Sequence, residues 1–326
     1  MSRVDFFPPR SSRRLIGGSR LLDSTLADID GLSHDGLFLK LLERKVPLCW
    51  LRILIYWYAN MYSVCKWKDA ISDPFPVVSG VRQGGVLSAK FWAVYMDDLV
   101  SQLRSTHRGC YIVELFIACV LYADDVCLMA PTRKAMQTLL DTCSSYAQYW
   151  CIKYNKKNTK IMYFGKDFDS FSCAPIMLNG RPLEFVHEMK YLGIIVTTER
   201  AFSCSVTKAK CAFYRSSNSI LNVVRCPRKE VQMKLLYSIC IPNLTYACEV
   251  VSYKEREMSS LHIAANDAMR KIFGFDRWES IRSQRESYGY LSITEIFANR
   301  KAKFEQQLSQ IGNSLLTRLS HITSIT

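Results

Sequence analysis

The chain has no C-x-x-C pair and no Cys–His cluster among its 13 cysteines and 5 histidines, so the ligand spacing of a zinc site is missing. The cysteines are odd in number and scattered through apolar runs, as at Cys119, Cys127, Cys143 and Cys151. They read as small buried side chains in a reducing compartment. No apolar stretch reaches the length of a membrane span: the best candidate, Trp50 to Trp67, carries Arg52 and Lys66, and the next is broken by Glu114. In the basic first twenty residues the only apolar step, Leu15–Ile16, is too short for a signal-peptide core. No internal repeat or low-complexity tract is visible.

What is present is a core. With 326 residues, 49% hydrophobic and 12% aromatic, the chain can bury a substantial interior and has room for two subdomains. Lys and Arg number 43 against 29 Asp and Glu, a formal charge of +14. Such an excess suits a polyanion such as nucleic acid, although an ordinary basic protein has the same balance. A soluble, intracellular protein, cytoplasmic or nuclear, is expected.

Residues 1–20 read as a loose stretch rich in Pro, Gly, Ser and Arg, the start of an N-terminal arm expected over residues 1–30. Helical spacing begins at Asp35 (Leu37, Phe38, Leu41, Leu42) and stops before Pro47, with a second helix expected over Leu48–Tyr62. Ile71 to Gly85 holds two prolines and three glycines and reads as a strand and a flexible loop, followed by a helix from Ser88 to Leu103. Tyr111 to Ala130 is two β-rich runs around an acidic pair, the pattern of a buried hairpin. Thr132 can cap the next helix. Short strands are expected near Lys160–Phe164, Ile176–Leu178 and Tyr191–Thr197. The chain then turns helical, with one helix stopping at Gly274 and another opening with the Ser292/Glu295 capping box.

Two Y-x-D-D tetrads occur, Tyr95–Asp98 and Tyr122–Asp125. The first lies in a run of helical spacing, which puts Asp97 and Asp98 on a solvated helix face. The second interrupts Ile117–Ala123 and Val126–Ala130, two runs that should both be buried strands, so its carboxylates would sit on a rigid hairpin. Taken alone, Asp124 and Asp125 read equally well as an acidic turn.

Upstream, Gly80-Val81-Arg82-Gln83-Gly84-Gly85-Val86-Leu87-Ser88 resembles the G-V-R-Q-G-x-x-L-S motif of reverse transcriptases, and Tyr122-Ala123-Asp124-Asp125 follows in the order that family shows. Lys190-Tyr191-Leu192-Gly193 is similar to the family's primer grip, and Asn266–Arg282 resembles the thumb of non-LTR retrotransposon enzymes. The resemblance spans roughly residues 31–300. It implies an α+β polymerase palm with partial fingers over 31–200 and a mainly helical thumb over 201–326. It further implies RNA-directed DNA synthesis on an RNA template and a DNA primer from deoxynucleotide triphosphates. Asp124 and Asp125 would be the catalytic carboxylates holding Mg2+, or Mn2+ in its stead. Arg82, Gln83, Gly84, Tyr122, Ala123, Lys157 and Lys160 would contact substrate.

The chain also departs from the family pattern. Counting back from His34, the first metal-binding Asp of the F-x-D-x-x-x-A-F-D motif falls on Ser24, with Asp23 one residue out of register as a surrogate ligand. On a strand, one residue changes the face. Ala89 stands for the usual Pro and Asn158 for a Lys. The expectation is a chain shortened at its N-terminus and catalytically impaired, with a non-catalytic nucleic-acid-binding remnant as the alternative.

Overall fold

The computed structural model describes residues 20–25, 31–82, 84–155, 159–165, 175–198, 202–223, 228–313 and 316. Chain contacts divide it into two compact units, one built mainly on residues 16–189 and the other on 190–197 and 202–326. The division falls between Met189 and Lys190, some ten residues before the boundary expected from the sequence.

The first unit opens with strand β1 (Arg20–Thr25), helix α1 (His34–Glu43) and helix α2 (Leu48–Ala59). Pro47 sets the N-terminal boundary of α2, where the absent N–H costs nothing. A thin ribbon follows: β2 (Tyr62–Ser63), β3 (Lys66–Trp67), β4 (Ala70–Ile71) and β5 (Phe75–Pro76), in which β2 pairs with β5 and β3 with β4. Helix α3 (Ser88–Ser105) leads into a small hairpin of β6 (Tyr111–Ile112) and β7 (Leu115–Phe116), and then into β8 (Cys119–Tyr122) and β9 (Asp125–Ala130). The expected single hairpin is therefore two, because Val113 takes a left-handed φ of 56° and turns the first run back.

Helix α4 (Arg133–Tyr149) is capped by Thr132, whose Oγ1 accepts from the Ala135 amide at 3.2 Å. Strands β10 (Lys160–Tyr163), β11 (Met177–Leu178), β12 (Arg181–Pro182) and β13 (Glu184–Phe185) complete the unit. The main sheet runs β13-β10-β1-β9-β8, antiparallel except for β10–β13. The arm expected over residues 1–30 thus contains the central strand of the sheet. Its apolar signal, Leu21 and Leu22, is too short to stand out, and neighbours on both sides define it.

One face of the sheet is covered. Val126, Leu128 and Ala130 pack with Phe91, Tyr95 and Leu99 of α3 and Met136, Leu139 and Leu140 of α4 in one continuous core. The other face is open at β8, where Val120 and Tyr122 are exposed. The two runs are therefore not both buried. Cys127 and Cys143 are buried as the sequence implied, whereas Cys151 is exposed just beyond α4 with φ 57°.

Strands β14 (Glu188–Tyr191), β15 (Ile194–Thr198) and β16 (Phe202–Cys204) form a three-stranded sheet at the start of the second unit, with Lys190–Thr197 bringing a tight turn. Helices α5 (Thr207–Val223), α6 (Lys229–Leu235), α7 (Ile241–Thr245), α8 (Glu255–Phe273), α9 (Arg282–Ser287) and α10 (Ile293–Gln310) follow. Their core centres on Phe213, Met233, Leu236, Leu244 and the α8 face Leu261, Ala264, Ala265, Ala268 and Met269, where small side chains let helices approach closely. Gly274, at φ 74°, ends α8 and donates to the Arg270 carbonyl at 2.8 Å. The capping box of α10 is formed: Ser292 N donates to Glu295, and Glu295 N to Ser292 Oγ at 3.2 Å. Among the described residues no helix is long and apolar enough to cross a membrane.

Candidate active site

The second tetrad lies at the turn joining β8 to β9, where Tyr122 pairs with Asp125 across the hairpin. Ala123 and Asp124 are the two residues between them. Ala123 sits at φ 52°, a left-handed conformation that is costly for a residue carrying a Cβ. The turn is held from outside by Trp92 of α3, whose Nε1–H donates to the Ala123 carbonyl at 2.6 Å. Sequence reading missed Trp92, which looks like any other core aromatic on the periodic face of α3.

The G-V-R-Q-G loop faces the same turn. Val81, Arg82, Gly84 and Gly85, the α3 residues Ser88, Trp92 and Met96, and Leu121 and Ala123 of the hairpin line one cleft of about 760 Å³. The loop is tied to α1 at its entrance: Gly80 N donates to the Leu32 carbonyl at 2.7 Å, and His34 Nε2 lies 2.8 Å from the Gly80 carbonyl. At its exit Ser88 Oγ donates to the Arg82 carbonyl at 2.5 Å. A Cβ at Gly85 would stand 2.6 Å from Ser88 Oγ and 3.0 Å from the Arg82 carbonyl, so a side chain there would displace the hydroxyl that closes the loop. Arg82 and Gly84 are exposed to the cleft side, whereas Gln83 lies outside the described residues, as does Lys157.

Asp125 is half-buried, and its carboxyl is raised above the ordinary range first by burial and then by the charge of adjacent Asp124. Two close carboxylates on a stiff hairpin are a hard-oxygen donor set that a divalent cation would relieve of its repulsion, so these residues fit such an ion. Among the described residues no cluster of three or more His, Cys, Asp or Glu is assembled for a metal. A folded-state value above the unfolded one means that Asp125 favours folding below its unfolded pKa, and that this contribution is lost as pH rises through the folded value. Without divalent ions, Asp125→Asn should raise the melting temperature at neutral pH and flatten its fall with rising pH. Adding Mn2+ should stabilise the wild type and not the variant; equal stabilisation of both in thermal melts would contradict this site.

The register of β1 bears on the third ligand. Pairing with β9 runs without a bulge from Arg20↔Ala130 to Thr25↔Asp125, so Ser24 is opposite Val126 and Asp23 opposite Cys127. The Ser24 row continues to Leu121, and Val126 in it belongs to the covered core. The Asp23 row runs Val120, Cys127, Asp23, Lys160, Glu184 across all five strands and has the parity of Tyr122 and Asp125, with Cys127 in it buried. Lys160 is ion-paired with Glu184 in that row.

The first tetrad lies on a solvent-facing side of α3 as expected, with the Asp97 side chain 69% and that of Asp98 43% exposed, but both carboxylates are ion-paired. Lys40 of α1 is fully buried and donates to Asp98 at 2.5 Å and to Tyr146 Oη at 2.8 Å, with the Trp150 ring 3.9 Å away. Arg44 takes Asp97 at 2.7 Å. Periodicity gave the helix correctly but could not show which charges α1 would bring to it. Lys190, Tyr191, Leu192 and Gly193 belong to the second unit. There Leu192 (φ 43°) and Gly193 (φ 86°) make the β14–β15 turn, and Tyr246 Oη donates to the Leu192 carbonyl at 2.9 Å.

The family described as reverse transcriptase (RNA-dependent DNA polymerase) matches residues 30–196. The RNA-directed DNA polymerase from mobile element jockey of Drosophila funebris is 26% identical over 327 residues, covering 97% of this chain and 35% of the relative. The Drosophila melanogaster jockey enzyme is 23% identical over 303 residues, 89% of this chain and 32% of that protein. The chain thus spans about a third of the length of these curated relatives. Among solved structures, telomerase from Candida albicans in complex with a telomeric RNA fragment aligns with a TM-score of 0.43 at 15% identity, covering 84% of this chain and 50% of that one.

Proposed function

The chain belongs to the reverse transcriptase family, and on that premise we propose that it is the polymerase domain of a non-LTR retrotransposon, extending a DNA primer along an RNA template. The observation that carries this reading is the cleft in which the G-V-R-Q-G loop and the Y-x-D-D turn face each other across α3. Polymerases of this family generally use divalent metal ions, and Mg2+ would be held by Asp124 and Asp125. Bound there, such ions activate a 3′ hydroxyl and neutralise triphosphate charge.

The chain's own residues would do the rest. Arg82 and the exposed backbone at Gly84 line the cleft wall where an incoming nucleotide and its template base would lie, and Gly84, at φ 75°, leaves that wall without a side chain. Lys160 of β10, balanced by Glu184 of the edge strand β13, stands next to Asp23 in the same row. The turn Lys190–Gly193 would bear on the primer. Nucleotidyl transfer by these groups would join the 3′ oxygen to the α-phosphorus and release pyrophosphate.

The strand parity shared with Asp125 favours Asp23 over Ser24 as the third carboxylate, and with that surrogate the chain would be active despite its out-of-register motif. Primer extension on an RNA template tests both points together. Asp23→Asn should lower the rate by about a hundredfold or more, and Ser24→Ala should leave it within a few-fold. If the unmodified chain binds duplex yet extends no primer, the remnant reading holds.

A further inference from the structure

We infer that Trp92 is a positioning residue for the Y-x-D-D turn, fixing through one hydrogen bond the backbone from which Asp124 and Asp125 project; this rests on the polymerase reading above. The turn has two residues, and Ala123 is held at φ 52°, where a side chain with a Cβ gains nothing locally. Something outside the turn must favour that geometry. The Trp92 indole N–H meets the Ala123 carbonyl at 2.6 Å, and Trp92 is only 4% exposed, so the donor is withdrawn from water and would be left unsatisfied without this acceptor, although Ala123 itself is exposed.

The indole is itself clamped. It stacks on Tyr95 at 6.4 Å and 23°, and Tyr95 Oη donates to the Trp150 carbonyl at 2.6 Å. Lys40 lies 5.7 Å from the Tyr95 ring and 3.9 Å from the Trp150 ring. The ion-paired anchor of α1 and α3 therefore leads by contiguous contacts to the carbonyl preceding the carboxylate pair. Trp92 also lines the cleft, but its one polar group, the indole N–H, is taken by the Ala123 carbonyl, so the action assigned to it is on the turn. Carboxylate spacing must be kept within a fraction of an ångström for two ions to bind, and a turn free to relax would lose that spacing.

Trp92→Phe keeps an aromatic ring and deletes the donor. The nitrogen-15 spectrum of the wild type, with the Trp92 indole signal assigned by its loss in this variant, should show that proton exchanging slowly with solvent; rapid exchange overturns the inference and needs no folded variant. The variant should bind Mn2+ about tenfold more weakly and lose kcat in proportion, with KM for the nucleotide and the melting temperature little changed. Unaltered Mn2+ affinity would overturn it. If the wild type takes up no Mn2+, the polymerase reading falls, and backbone amide exchange at Asp124 and Asp125 decides the inference instead: faster in Trp92→Phe supports it, unchanged rejects it.

Discussion

Asp124→Asn should lower primer extension by on the order of a thousandfold or more, while Asp97→Asn in the other tetrad should keep it within a few-fold of wild type. The amide is nearly isosteric with the carboxylate, so the hairpin should be unaffected. What it removes is the charge that holds a hard dication and offsets the triphosphate. The contrast is demanding because Asp97 also borders the cleft. Its carboxylate, however, is engaged by Arg44 at 2.7 Å on a helix, whereas Asp124 stands on a turn beside Asp125. Mn2+ binding measured by calorimetry should follow the same division. Loss of the ion in Asp97→Asn would show that the two tetrads had been assigned the wrong way round.

Asp98→Ala should destabilise the first unit by about 3 kcal/mol, the low end for breaking a buried pair because Asp98 is itself half-exposed. Lys40 has no exposure at all, and without Asp98 its ammonium keeps one hydroxyl, Tyr146, and the face of Trp150. That is poor compensation for a desolvated charge. The melting transition should fall by roughly 10 °C. Removing the charge as well, in Lys40→Met with Asp98→Ala, should recover most of the loss, since an apolar chain of similar length fits among Tyr95, Tyr146 and Trp150. If the double variant is no more stable than the single one in denaturant or thermal melts, the cost does not come from an unpaired Lys40.

Local signals were legible to the extent that they were local. The Thr132 cap, the Ser292/Glu295 box and the Gly274 stop each need only one turn of helix, and each formed where the residues indicated. The periodicity of α3 likewise separated the two tetrads, since Asp97 and Asp98 fall within a helix and Asp124 and Asp125 at a hairpin. What periodicity could not give was the partner of a charge 58 residues away, as for Lys40 and Asp98.

The sequence by itself determined the α+β class, the order of the loop motif and the acidic hairpin, and the family to which they point, because motif order and side-chain period survive without knowledge of contacts. Only the tertiary structure decided that residues 20–25 are the middle strand of the sheet, since two short flanks of pairing define it and no run of apolar residues does. Register was decided there too: counting from His34 gives Ser24, while pairing gives Asp23 the parity of Asp125 and Ser24 that of Val126, because hydrogen bonds to β9 and β10 fix a strand's parity and spacing to a distant motif does not. The same holds for Trp92, whose indole found the Ala123 carbonyl only when α3 packed beneath the hairpin.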